Sequence, residues 1–121
     1  MGLEQKDEQM IRNLFARDLS VDELWDIYGE SCGEAATGID RIQAAKDCFE
    51  RRKNQILDYV CNSTEIQTLV SDPIASKSVD AAILVARVLS AQNSFFFDIV
   101  TLSVLIIRLK ILDSCEKWKK R

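Results

Sequence analysis

From Ser94 to Lys117 the chain runs for twenty-four residues without a glycine, a proline or a cluster of turn formers. Residues 100–107, "VTLSVLII", alternate Thr101 and Ser103 with larger apolar side chains in the manner of a strand. Strands, however, average about five or six residues, so an unbroken run of this length predicts a helix from about Phe95 to Trp118. Between Phe95 and Leu112 its only charges are Asp98, Arg108 and Lys110. Phe97, Val100, Val104, Ile107 and Ile111 mark one face, and Phe96, Ile99, Ser103, Ile106 and Lys110 another. A helix apolar almost all round is enclosed by others.

A membrane span needs about 20 consecutive apolar residues. Here the longest uncharged run inside the segment is the nine residues Ile99 to Ile107. Asp98, Arg108 and Lys110 would each cost up to about 3 kcal/mol near a bilayer centre. No stable membrane span is expected. The apolar hairpin of residues 79–112 offers one alternative, insertion into a membrane after a rearrangement.

The rest of the chain is punctuated as helices. One proline and four glycines in 121 residues imply long regular elements joined by short turns. Residues 3–17 place Leu3, Met10, Ile11, Leu14 and Phe15 on one side at helical spacing. "LSVDEL" supplies Ser20 as N-cap and Glu23 three residues on, with Leu19 and Leu24 as a hydrophobic staple. It predicts a helix from Val21 to Gly29 that buries Leu24, Trp25 and Tyr28. "GESCGEAATG", residues 29–38, reads as a loop. Thr37 or Asp40 then caps a long helix to about Cys61, with Ile42, Ala45, Phe49, Ile56, Tyr59 and Val60 as its stripe and Asp47–Arg51 as a surface pair.

"CNSTEI" reads as Asn62 capping a short helix to Val70. Asp72 and Pro73 open the next helix, with a restart at Ser78 as an alternative. That helix reaches Ala91 and buries Ile74, Val79, Ala82, Ile83, Ala86 and Leu89. The expected fold is therefore all-α: one domain over residues 1–121, a compact bundle of five to six helices with a long, nearly all-apolar C-terminal helix at its centre.

Charge is unevenly spread. Residues 1–40 hold ten acids and three bases, a net −7, and residues 41–121 hold nine acids and thirteen bases, a net +4. Two such halves can neutralise each other on folding or steer a charged partner. The overall acid excess, with no helix-turn-helix signature and no series of stacking aromatics, argues against a nucleic-acid binder.

Cys32, Cys48, Cys61 and Cys115 form no CxxC pair, and the chain has no histidine. This spacing suggests no zinc site and points to free, mostly buried thiols in a reducing compartment. "MGLEQKDEQM" is acidic and polar where a secretory leader would be basic and then apolar. A cytoplasmic protein is expected.

Catalysis finds little foothold. Without histidine there is no Ser-His-Asp, Cys-His or His-ligated metal site, and no phosphate-cradling glycine loop or nucleophile elbow occurs. One carboxylate constellation stands out: Glu23-x-x-Asp26 on one expected helix and Asp47-x-x-Glu50 on the next. Packed antiparallel, these helices could gather four oxygens around Mg²⁺, which activates water against a phosphate.

Over residues 20–55 this resembles the all-α nucleoside triphosphate pyrophosphatase family, where ExxE and ExxD pairs on neighbouring helices hold magnesium. The resemblance implies Mg-dependent nucleotide hydrolysis. The chain departs from that pattern, since the first pair ends in Asp26 and the second begins with Asp47 and ends with Glu50. Capping by Glu23 and pairing of Asp47 with Arg51 explain two of the four acids structurally, so no metal and no cofactor is the expectation.

What remains is binding. The last two helices carry more apolar residues than a two-layer bundle of this size needs. That surplus could seal a homodimer or form a groove for an amphipathic helix. Phe95, Phe96 and Phe97 cannot all point into one core, and Trp118 stands among the bases Lys117, Lys119, Lys120 and Arg121. These four aromatics are the expected partner-binding residues. The sequence thus predicts a non-enzymatic protein–protein interaction module of the adaptor, immunity or inhibitor type, a class that includes proteins of bacterial conflict systems. Its partner is a second protein or a second copy of itself.

Overall fold

The computed structural model describes residues 3–31, 39–92 and 98–115. Every regular element among them is helical: α1 (Gln5–Ala16), α2 (Val21–Ser31), α3 (Ile39–Cys61), α4 (Thr64–Val70), α5 (Val79–Ser90) and α6 (Ile99–Arg108), with 3-10 turns at Ala75–Lys77 and Ile111–Ser114. The expected all-α bundle is observed, with six α-helices.

α1 ends where Asp18 takes a left-handed backbone (φ 53°), which turns the chain into α2. Ile11 and Leu14 are buried, as their spacing predicts. Met10 is not; it stands 51% exposed on the wet side of the helix. The second helix starts as expected. Ser20 Oγ accepts the Glu23 N–H at 3.1 Å, and the Ser20 N–H donates to Glu23 Oε1 at 3.1 Å. Two orphan donors are thereby satisfied reciprocally. Leu24, Trp25 and Tyr28 are buried.

α2 runs two residues past the expected end, so Gly29 is helical rather than the start of a loop. It lies where α2 crosses α3. A Cβ there would stand 2.6 Å from the Arg41 carbonyl oxygen and 3.3 Å from Ala45 Cβ. Only a glycine lets the backbones approach this closely. The two helices run antiparallel, because Gly29 meets Arg41 and Ala45 while the earlier Trp25 meets Phe49 edge-on at 5.6 Å.

Local chemistry sets two boundaries: the start of α4 differs from expectation, and that of α5 takes the alternative restart at Ser78. Ser63, not Asn62, caps α4, its Oγ accepting the Ile66 N–H at 3.4 Å. Asn62 instead donates back to Asp58 Oδ1 at 3.1 Å. Asp72 Oδ1 accepts from the Ile74 and Ala75 N–H groups at 2.9 and 3.2 Å, but only a 3-10 turn follows. The true cap of α5 is Ser78, whose Oγ accepts the Ala81 N–H at 3.3 Å. Ile74, expected in the core, consequently sits on the turn 85% exposed.

The largest correction concerns the C-terminal helix. It is central, for every residue from Val100 to Ile107 is buried and α1, α2 and α5 all pack on α6. It is also short. Asp98 is its N-cap, accepting the Thr101 N–H at 3.2 Å and the Thr101 hydroxyl at 2.6 Å. At the other end Lys110 adopts a left-handed conformation (φ 57°), and the chain continues as a 3-10 turn.

The three charges that interrupt the apolar run therefore fall at helix ends. Arg108 reaches Asp18 at 3.3 Å and lies 5.6 Å over the Phe15 ring. Ser103, wholly buried, donates to the Val100 carbonyl at 2.9 Å, so its burial costs little. Among the described residues no helix is long and apolar enough to cross a membrane.

The bend after α6 carries Cys115 back to the C-terminal end of α3, where it is disulfide-bonded to Cys61. This corrects the expectation of free thiols. The two cysteines lie 54 residues apart in sequence, and nothing local to either signals the pairing. Cys48 is a free, buried thiol.

The uneven charge resolves on folding. Glu8–Arg87 (2.7 Å), Asp18–Arg108 (3.3 Å) and Asp26–Arg41 (3.6 Å) each join an acid of residues 1–40 to a base of residues 41–121. Arg12–Asp80 (3.7 Å) runs the other way. All four have solvent access, so each contributes at most about 1 kcal/mol. Collectively they orient the halves.

Candidate partner-binding cleft

Among the open clefts that flank α3, two bear on the expected residues or on an apolar surface. The larger of the two, about 660 Å³, lies against α2 and is lined by Arg17, Leu19, Asp22, Glu23, Asp26, Ile27, Arg41 and Ile42. Here the first expected acid pair is found already engaged. Glu23 is held below the ordinary glutamate range by the Ser20 backbone N–H, then by the Ser20 hydroxyl, with Arg17 adding a smaller pull. Asp26 faces Arg41 at 3.6 Å.

The second acid pair lies further along α3. Asp47 accepts from Gln43 Nε2 at 3.0 Å, in place of the expected pairing with Arg51. Glu50 lines a separate shallow groove with Lys46 and Lys53. Antiparallel packing of the two helices is as envisaged, yet no group of three or more acids or cysteines among the described residues is placed to hold a metal ion.

The other cleft, about 500 Å³, opens between the last two turns of α3, the start of α4 and the outer face of α5. Tyr59, Leu84 and Val88 form an apolar strip along it, each packed on the core beneath yet partly open to solvent. Asp58, Asn62 and Glu65 make one rim, and Arg87 and Gln92 belong to the opposite wall.

Local sequence explains these placements. Leu84 and Val88 are four residues apart on α5 and so share a helix face, while Asn62, in the turn just after α3, folds back on Asp58 four residues earlier. α5 has a second reason to present apolar groups here. Its inner side is already filled by Ala82, Ile83, Ala86 and Leu89.

Electrostatically the cleft differs from its larger neighbour. Arg87 is turned away into its 2.7 Å pair with Glu8. Asp58 is touched by a neutral amide, Asn62, and Glu65 makes no ion pair among the described residues. The rim is left acidic.

Phe95, Phe96, Phe97 and Trp118, the expected partner-binding residues, lie outside the described residues. The cleft nevertheless borders the first three in sequence, since Ala91 and Gln92 line its end. Sequence inspection missed the cleft itself, because Tyr59 reads as part of the α3 core stripe and Leu84 and Val88 fall outside the expected core. The available signal was the breadth of the apolar surface on α5, where Asp80 and Arg87 are the only charges. No family model, curated protein or solved structure matches this chain.

Proposed function

We propose that the chain is a non-enzymatic protein–protein interaction module of the adaptor, immunity or inhibitor type, and that the α3–α4–α5 cleft receives the partner. The observation that carries this reading is the partly open Tyr59–Leu84–Val88 strip beside an acidic rim. An apolar strip bordered by polar groups on a built, helix-walled cleft is the usual form of a partner site. Phe95–Phe97, which lie outside the described residues, remain proposed partner-binding residues on the sequence argument alone. The buried Cys61–Cys115 bond favours an oxidising compartment over the cytoplasmic one expected from the sequence.

The test compares affinity capture by the wild-type chain with that by Val88→Glu, Phe96→Glu and the control Asp47→Lys, which lies off the cleft. A specific partner is retained by the control and lost with Val88→Glu, while circular dichroism and melting stay close to wild type. Capture indifferent to Val88→Glu removes the cleft from the proposal. Sedimentation of the same variants covers self-association: a dimer that dissociates with Val88→Glu identifies the partner as a second copy.

A further inference from the structure

The chemistry of the cleft selects among partners. Resting on the reading of the cleft as a docking surface, we infer that its occupant is an amphipathic helix with basic flanks, which lays apolar residues on Tyr59, Leu84 and Val88 and lysines or arginines against Asp58 and Glu65. Three observations support this.

The described residues contain no strand, so an extended peptide has no sheet edge to extend, whereas a groove walled by helices suits a docked amphipathic helix. Along α5 the cleft is lined by Leu84, Arg87, Val88 and Ala91. The seven steps from Leu84 to Ala91, at 1.5 Å each, make a wall of roughly 10 Å, which matches two turns of a docked helix. Its anchors would recur at i, i+3 or i+4, and i+7.

Charge supplies the third. Asp58 and Glu65 are exposed on the rim, and the one base in the lining, Arg87, is neutralised by Glu8 at 2.7 Å. An incoming cation therefore meets two carboxylates, with the guanidinium across the cleft offset by Glu8. Rim charges of this kind act chiefly on association rate and on discrimination between partners, while the apolar strip supplies the hold.

Two synthetic helical peptides of about 15 residues test the inference, sharing leucines at i, i+4 and i+7 and differing only in lysine or glutamate flanks. Binding is read by fluorescence anisotropy and mapped by amide chemical shifts on the labelled protein. The lysine peptide binds about tenfold or more tightly than the glutamate peptide, perturbs amides around Tyr59, Leu84 and Val88, and weakens as salt is raised. Asp58→Lys with Glu65→Lys reverses the preference, and Val88→Glu abolishes binding of both.

Equal affinity for the two peptides, a preference for glutamate flanks, shifts centred elsewhere or no binding at all overturns the inference. The two levels separate cleanly. Loss of a natural partner in Val88→Glu without any preference for basic peptides leaves the docking surface standing and removes the basic helix. A partner indifferent to Val88→Glu removes the surface itself.

Discussion

Along residues 39–53, α3 is met by α2; along residues 54–61, it is met by α5, α4 and the chain's returning C-terminal turn. In the first stretch the helices approach closely and, although a cleft lies beside the crossing, its acids are matched. Gly29 admits the backbone of α3, Trp25 stacks edge-on to Phe49, and Asp26 faces Arg41. In the second stretch the rim acids of the cleft have no basic partner among the described residues, so its charges stay open where those of the first stretch are closed, and a covalent bond ties Cys61 to Cys115. The disulfide thus lies at the end of the open stretch, where side-chain matching is incomplete.

Removing the disulfide should have the largest effect. Closing a 54-residue loop restricts the unfolded chain, and the chain-entropy relation puts this at about 4 kcal/mol. For a chain of this size that corresponds to a fall in Tm on the order of 15 °C. Cys61→Ser with Cys115→Ser, or melting of the wild type in the presence of a reductant, should both produce it in thermal melts. Hydrogen exchange should accelerate first at residues 54–61 and 109–115, not along α2. A melt unchanged by the double substitution would show that the open stretch is held by packing after all.

The closed stretch has its own weak point at Gly29. Alanine gains about 1 kcal/mol in helix propensity. Against this, its Cβ would meet the Arg41 carbonyl oxygen at 2.6 Å, and a backbone oxygen cannot swing aside as a side chain can. Overpacking of this kind costs about 1–3 kcal/mol, so Gly29→Ala should destabilise by up to about 2 kcal/mol in urea titrations. A gain in stability instead would mean that α2 and α3 can separate freely, and the contrast between the stretches would weaken.

Much of this was legible in the sequence, and the misses share a cause. Ser20 and Glu23 specify the start of α2 because both partners of the capping box lie within one turn. The burial of Leu24, Trp25 and Tyr28 follows from helical spacing. Gly29 was misread as a loop entry because what makes it glycine is Arg41, on another helix. The length of α6 was misread for the same reason. "RLKILDSC" has no breaker of its own, and the bend at Lys110 brings Cys115 to a partner 54 residues earlier. Of the candidate site, the apolar surplus of the last helices could be read, whereas the assembly of Tyr59 with Leu84 and Val88 depends on how α3 meets α5. Local chemistry is written locally; close approaches and long-range bonds are not.

A smaller effect belongs to the cap of α2. Ser20→Ala removes an N-cap oxygen and should cost about 1 kcal/mol. The box also carries a pH signature. Glu23 titrates below its ordinary range in the folded state, owing first to the Ser20 N–H and then to the Ser20 hydroxyl. A carboxylate held low in the fold stabilises above its unfolded value of about 4.3 and loses that contribution as pH falls through the lower folded value. Ser20→Ala should therefore flatten the acid side of the stability–pH curve while leaving the backbone part in place. An acid limb identical to wild type would assign the shift to the backbone N–H alone.

The smallest effect is also the sharpest probe of the open stretch. If the acids of the cleft serve a partner rather than the fold, neutralising them should barely touch stability. Asp58→Asn retains a hydrogen-bond acceptor for Asn62, and Glu65→Gln forfeits only the favourable interaction of an acid in the first turn of α4, a few tenths of a kcal/mol. The double variant should stay within about 0.5 kcal/mol of wild type. By comparison, Asp26→Asn breaks a partly shielded pair with Arg41 and should cost up to about 1 kcal/mol. The ordering matters more than either magnitude. Should the double variant at the open cleft prove the more costly of the two, Asp58 and Glu65 belong to the scaffold, and the acidic rim has no charge to spare for a partner.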